Sequence, residues 1–170
     1  MKYEKRYWVT TDTHFGHRNI QKYCNRPPDC DDRIMAGLQV MKMGDILIHL
    51  GDVAFNDKGE EHYVEALHDM GIFRWLVLGN HDRSMAYHLE AGWDWVGWSM
   101  EMRRFGKLIK FSHKPTPIGE EDIQIHGHFH NAKIEYWEGY LKEIMTSKHK
   151  LLVIEDVDYK PVLLESLLDM

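Results

Sequence analysis

Cysteine is scarce in this chain of 170 residues: Cys24 and Cys30 are the two present, and their spacing fits neither a zinc knuckle nor a Cys-x-x-Cys redox pair. No apolar stretch has the length of a signal peptide or a membrane span, so membrane partners are not expected. With the two thiols, this leads us to expect a soluble protein of a reducing cytoplasm. Linkers, repeats and low-complexity tracts are missing as well, and residues 1–170 are expected to form one domain with a sizeable core. Positive charge is short, 21 Lys and Arg against 27 Asp and Glu, and the net charge of −6 argues against life on nucleic-acid phosphates. That argument is softened only by divalent cations, which would restore positive charge locally.

Histidine, by contrast, is abundant, with twelve residues and several of them in tight polar clusters. The first half alternates apolar strand-like runs (7–11, 46–50, 73–78) with amphipathic segments of helical spacing (31–43, 60–70). Asp31 or Asp32 would cap the first helix and Gly44 would stop it. The second half is β-rich: 93–102, 107–113, 122–128, 132–137 and 151–156 read as strands, and 161–168 as a terminal helix. A βαβα half followed by a β-rich half is an α/β fold with two sheets packed together.

Three strands of the first half end alike, in Asp12-Thr13-His14, in Gly51-Asp52 and in Gly79-Asn80-His81-Asp82. Open α/β sheets bind ligands outside the carboxyl ends of their strands, so these residues should converge. His113 follows one later strand, and His128 and His130 another. Two carboxylates, a carboxamide oxygen and four imidazoles make a mixed O/N shell. That shell suits a dinuclear site of Mn, Fe, Zn, Ni or Co better than Ca or Mg. A carboxylate can bridge two ions through its two oxygens. The glycines would let the chain turn sharply, and His-x-His in an extended segment would turn both rings to one side. Each block alone is ordinary turn chemistry; five in this order at strand ends are hard to explain separately.

The series Asp12-x-His14, Gly51-Asp52, Gly79-Asn80-His81-Asp82, His113 and Gly127-His128-x-His130 resembles that of the calcineurin-like metallophosphoesterase superfamily. The segments 12–20 and 159–167 further resemble its small, capless bacterial and phage branch. The resemblance implies a four-layer α/β/β/α sandwich, two mixed sheets with flanking helices. It implies two divalent transition-metal ions, manganese first among them. Asp12, His14 and His130 would hold one, Asn80, His113 and His128 the other, and Asp52 would bridge them. It also implies hydrolysis of small phosphate mono- or diesters, nucleotides among the candidates, by in-line attack of a metal-bridging hydroxide. His81 would then be the acid that protonates the leaving oxygen, since imidazole changes charge near neutral pH. Asp82 would either orient its ring or cap a helix starting near Arg83.

His17 and Arg26 are candidate substrate contacts, the second because a guanidinium fork matches phosphate. His49 and His126 read as core or supporting histidines, and His62, His68, His88 and His149 as solvated. The tryptophans of 92–98 read as core or sheet-edge cover, or as part of a subunit interface, rather than base-stacking platforms. Without a cap domain, specificity would rest on loops 13–33, 53–59 and 114–121. The alternatives are a metal-dependent nuclease on single-stranded nucleic acid, for which 103–110 is the one basic track, and a non-catalytic interaction scaffold.

Overall fold

The computed structural model describes residues 4–132 and 139–168. It contains β1 (Tyr7–Thr10), α1 (Ile20–Tyr23), α2 (Cys30–Gly37), β2 (Ile46–His49), α3 (Asp57–Asp69), β3 (Phe73–Val77), α4 (Met85–Glu90) and β4 (Trp95–Gly97). These are followed by β5 (Ser99–Arg104), β6 (Lys107–Ser112), β7 (Ile123–His126), α5 (Gly139–Ile144), β8 (His149–Leu151), β9 (Val162–Leu163) and α6 (Leu164–Leu168). The first sheet runs β4-β3-β2-β1-β9, parallel except for β9, and the second runs β5-β6-β7-β8, parallel except for β5. The fold is thus α/β, two mixed sheets with flanking helices.

Strand alternation decides what each face of the first sheet buries. Trp8, Leu47 and Leu76 point to one side, against Ile34 of α2 and Tyr63, Val64 and Leu67 of α3. Val9, Ile46, Ile48 and Val77 point to the other, against Ile109, Phe111, Ile123 and Ile125 of the second sheet. Leu47, Ile48, Phe111 and Ile125 are fully buried, each worth about 1.5–3 kcal/mol of burial. The leucines of α6 close the same inter-sheet core.

Several boundaries differ from the sequence reading. Helix α2 starts at Cys30 and gives way at Leu38 to a 3-10 turn; Asp29 holds the cap position without a side-chain bond, and Asp31 and Asp32 sit in the first turn, where carboxylates favour the helix dipole. Helix α3 starts three residues early because the Asn56 side chain accepts the Gly59 N–H at 2.9 Å. The run 93–102 divides at Trp98, with β4 in one sheet and β5 in the other. The expected strand 151–156 ends at Leu151, and residues from Ile154 form a 3-10 turn. The terminal helix is shorter, preceded by the edge strand β9. Helices α1 and α5 had no counterpart in the reading, and of the expected strand 132–137 all but Ala132 lies outside the described residues. His88 and His149 are buried rather than solvated: His88 is bonded to Glu60 and to the Arg83 N–H, His149 to Thr146 and the Thr116 carbonyl. His62 and His68 are exposed. Among the described residues no helix is long and apolar enough to cross a membrane, and Cys24 and Cys30 are buried free thiols.

Candidate metal centre

Adjacent parallel strands β1 and β2 deliver Asp12 and Asp52 to one edge of the sheet, and their loops stay zipped together beyond it. The Asp12 N–H donates to the Gly51 carbonyl, that of His14 to Asp52 and that of Phe15 to Val53, all at 2.9–3.0 Å. Inside this zipper, the Thr13 hydroxyl donates to the Val53 carbonyl at 2.6 Å and meets His49 Nε2 at 2.9 Å. His49 Nδ1 accepts the Gly51 N–H, so its proton sits on Nε2. Burial presses this imidazole down to about 3, a neutral strut under the loops. His126 is also fully buried and pressed down to about 4, its Nδ1 bonded to the Gly127 carbonyl.

Five of the seven expected ligands have left-handed backbones: Asp12, His14, Asp52, His128 and His130, with φ between 48° and 75°. Such residues cost on the order of 1–3 kcal/mol each and persist where their surroundings fix them. His128 and His130 therefore do not share a side by strand alternation, as an extended segment would have it; each is turned inward by its own left-handed step after β7. Gly51, at φ 96°, makes the expected sharp turn, whereas Gly79 and Gly127 act differently. At Gly79 an added Cβ would collide with the Asp52 carboxylate, and at Gly127 with Thr11 and the Asp12 carboxylate. Both are needed for close approach of the backbone to an acid.

Each acid has one oxygen committed and one turned inward. Asp12 Oδ2 accepts the Thr11 hydroxyl at 2.6 Å and the His128 N–H at 2.9 Å. Its Oδ1 is buried without a hydrogen-bond partner, 3.7 Å from His130 Nε2 and 4.0 Å from His14 Nε2. Asp52 Oδ1 accepts the His81 N–H at 2.9 Å. Its Oδ2 lies 3.5 Å from His14 Nε2 and 3.4 Å from His113 Nε2. Asn80 Oδ1 is 3.1 Å from the same His113 nitrogen, and His128 Nδ1 is 3.3 Å from it. Ligand atoms of Asp12, His14 and His130, and those of Asp12, Asp52 and His113, all lie within 4.8 Å of one another in each group.

The imidazoles are aimed by their second nitrogens. His113 Nδ1 donates to the Leu50 carbonyl at 2.7 Å, leaving Nε2 to face the acids. His130 Nδ1 donates to Glu155 Oε1 at 3.2 Å, again freeing Nε2. This is how proteins fix the tautomer of a metal-binding histidine. Electrostatics divides the rings. Burial presses His14 and His128 down to about 4, His113 and Lys114 adding to the effect at His128. At His113 and His130 burial acts the same way but is overridden. Asp52 and Asp12 hold His113 up at about 9, and Cys24, Glu155 and Asp12 hold His130 at about 10. Asp12 and Asp52 stay ionised against burial because these imidazoliums face them. Two buried carboxylates, an orphaned Asp12 oxygen and an orphaned His14 nitrogen are a donor set that calls for cations, and these aspartate and histidine clusters could hold metal ions.

The remaining expected residues fall into two groups. His81 is exposed at the rim, its ring 5.8 Å from that of His14. His17 is half-buried, 5.6 Å from His14 and stacked on Phe55 at 4.1 Å. Both face the centre. Arg26 does not: its side chain is fully buried, and it donates to Glu155 Oε1 and to the carbonyls of Asp12 and Thr13. The fork that would have clamped a phosphate instead clamps the turn carrying the ligands. Asp82 neither caps nor aligns. Ser84 caps α4, accepting the Tyr87 N–H. The Asp82 carboxylate accepts the N–H groups of Asp52, Val53 and Gly79 at 2.7–3.0 Å, tying the β2 and β3 loops together. Burial pushes its pKa above the usual carboxylate range. Glu155, the partner of both Arg26 and His130, was missed; it lies in an acidic run that carries no motif.

The class defined by this fold and site is an α/β sandwich of two mixed sheets with a cluster of aspartates, histidines and an asparagine at one strand edge. No protein-family model matches the chain. The uncharacterised protein MJ1445 of Methanocaldococcus jannaschii is 26% identical over 175 residues, spanning 95% of this chain and 88% of that protein. Among solved structures, AQ665 of Aquifex aeolicus, a protein of unknown function, matches over 98% of each chain at 26% identity and TM-score 0.76. An archaeal phosphodiesterase aligns over 75% of this chain and 74% of that one, at 14% identity and TM-score 0.45.

Proposed function

We propose that the chain is a dinuclear metallophosphoesterase that hydrolyses small phosphate mono- or diesters. One observation carries the reading: Asp52 Oδ2 stands between His14 Nε2 at 3.5 Å and His113 Nε2 at 3.4 Å, while its other oxygen is held by the His81 N–H. A single carboxylate oxygen is thus offered to two sets of ligands, Asp12, His14 and His130 on one side and Asn80, His113 and His128 on the other. Asp52 would thus offer the ions this one oxygen, its other being held by the His81 N–H. When bound, the ions supply Lewis acidity, acidifying water and neutralising phosphoryl oxygens. The chain's own groups do the rest. The bond from the His81 N–H to the Asp52 carboxylate holds His81 at the rim, where its ring can donate a proton to the departing ester oxygen. His17 stands beside it for the phosphoryl group.

The basic track of the nuclease alternative is divided along β6. Arg103, Arg104 and Lys107 surround the turn between β5 and β6, at the end of β6 away from His113. Lys110, the remaining basic residue of the track, lines the groove that also holds Asn80 and His113.

The test is metal-loaded protein assayed against nitrophenyl mono- and diesters, cyclic nucleotides and single-stranded DNA, beside Asp52→Asn. Two ions per chain and turnover of the small esters are expected, with Asp52→Asn losing both. Cleavage of the polymer alone would favour a nuclease. Two bound ions without turnover of anything would favour a scaffold.

A further inference from the structure

The turn from Gly79 to Asp82 separates two depressions at the centre. The smaller, about 100 Å³, contains His81 with Phe55, Arg83 and Tyr87. The larger, about 370 Å³, contains the ligands Asn80 and His113 together with Trp98, Lys110, Lys114 and Thr116. Trp98 is the single residue between β4 and β5, where the chain passes from one sheet to the other. Two neighbours fix it there. The Leu78 N–H donates to the Gly97 carbonyl at 2.8 Å, and Ser99 pairs with Ser112, the residue before His113.

The other tryptophans of this segment do structural work: Trp93 is buried and Trp95 packs against the inter-sheet core. Trp98 is 68% exposed and lines this groove together with Asn80 and His113. The groove is at the low end of the roughly 300–1,000 Å³ typical of small-ligand sites, which suits one nucleoside. Ser99 and the two lysines give it polar groups for ring heteroatoms and hydroxyls, and positive charge for the diester; Lys110 is also paired with Glu121 at 3.6 Å, and the Thr116 hydroxyl already accepts from Gln124 at 2.7 Å.

We infer that the substrate is a phosphodiester whose retained arm is a nucleoside, its base stacked on Trp98 in this groove, while the leaving arm lies on the His81 side. This rests on the phosphoesterase reading, because it takes the phosphoryl group to sit at the two ions and His81 to face the leaving oxygen.

The experiment compares two esters with the same leaving group, thymidine 5′-(4-nitrophenyl phosphate) and methyl 4-nitrophenyl phosphate, using metal-loaded protein. Wild type should prefer the thymidine ester in kcat/KM by about 5- to 150-fold, the range of one base–aromatic stack. Trp98→Ala should bring the ratio of the two kcat/KM values towards one, and Trp98→Phe should keep most of it. Equal kcat/KM for the two esters in wild type, or a ratio unaltered in Trp98→Ala, overturns the nucleoside arm and leaves the phosphoesterase reading standing. Turnover of neither diester overturns the nucleoside arm, and the phosphoesterase reading falls with it only if 4-nitrophenyl phosphate, a monoester, is left intact as well.

Discussion

Glu155 accepts the Nδ1–H of His130 across 3.2 Å, and Arg26 grips the same carboxylate oxygen at 2.7 Å. Arg26 also binds the carbonyls of Asp12 and Thr13, so one guanidinium joins the β1 loop, the C-terminal 3-10 turn and the His130 ring. Glu155→Gln keeps the shape but can present an amide where the ring needs an acceptor. It should weaken metal affinity by about 10- to 100-fold, as loss of an outer partner of a ligating histidine does. Competition of the purified protein against a chelating dye measures this, and unchanged affinity would make Glu155 a mere anchor for Arg26.

Metal uptake should also release protons. Free His113 and His130 titrate at about 9 and about 10, against about 6.5 for an unfolded histidine. Raised values mean that both ion pairs stabilise the metal-free fold fully below about pH 6.5 and lose that contribution as pH rises through 9 to 10. A metal needs these nitrogens unprotonated, so binding at pH 7.5 should expel about two protons per chain and tighten as pH rises. Calorimetric titration in two buffers of different ionisation enthalpy counts the protons. Identical heats in both buffers would contradict this electrostatic picture.

How far the sequence carries the structure depends on where each interaction lies along the chain. Gly79-Asn80-His81-Asp82 was legible because a buried strand, a glycine and three polar side chains are contiguous. The convergence of Asp12 and Asp52 followed from two strands of the same character, which proved to be parallel neighbours. Glu155 was invisible because its partner Arg26 is 129 positions away and no local pattern marks the pair. Asp82 was misread for a related reason: a carboxylate three residues before a helix looks like a cap or a ring partner, but the N–H groups it needs come partly from the loop after β2. The left-handed steps at His128 and His130 have no signature either, since neither is a glycine. Side-chain inventory is local; the backbone turns that aim it are imposed by packing.

His81 separates an acid from a ligand. Its N–H is held by Asp52 Oδ1 while its exposed ring stands edge-on to that of His14 at 5.8 Å, and Asn80 supplies the oxygen beside His113. His81→Ala keeps that N–H, so two ions should remain bound. Alkyl esters, whose oxygen leaves poorly without a proton, should be hydrolysed about 10²–10⁴-fold more slowly, the usual worth of a positioned proton donor. Nitrophenyl esters should lose far less, because their oxygen departs as a stable anion. His113→Ala removes a ligand instead, and should cost an ion and slow both ester types together. Metal analysis beside kcat on each ester distinguishes the two variants. A missing ion and an equal loss on both esters in His81→Ala would make His81 a ligand and leave the leaving oxygen without its acid.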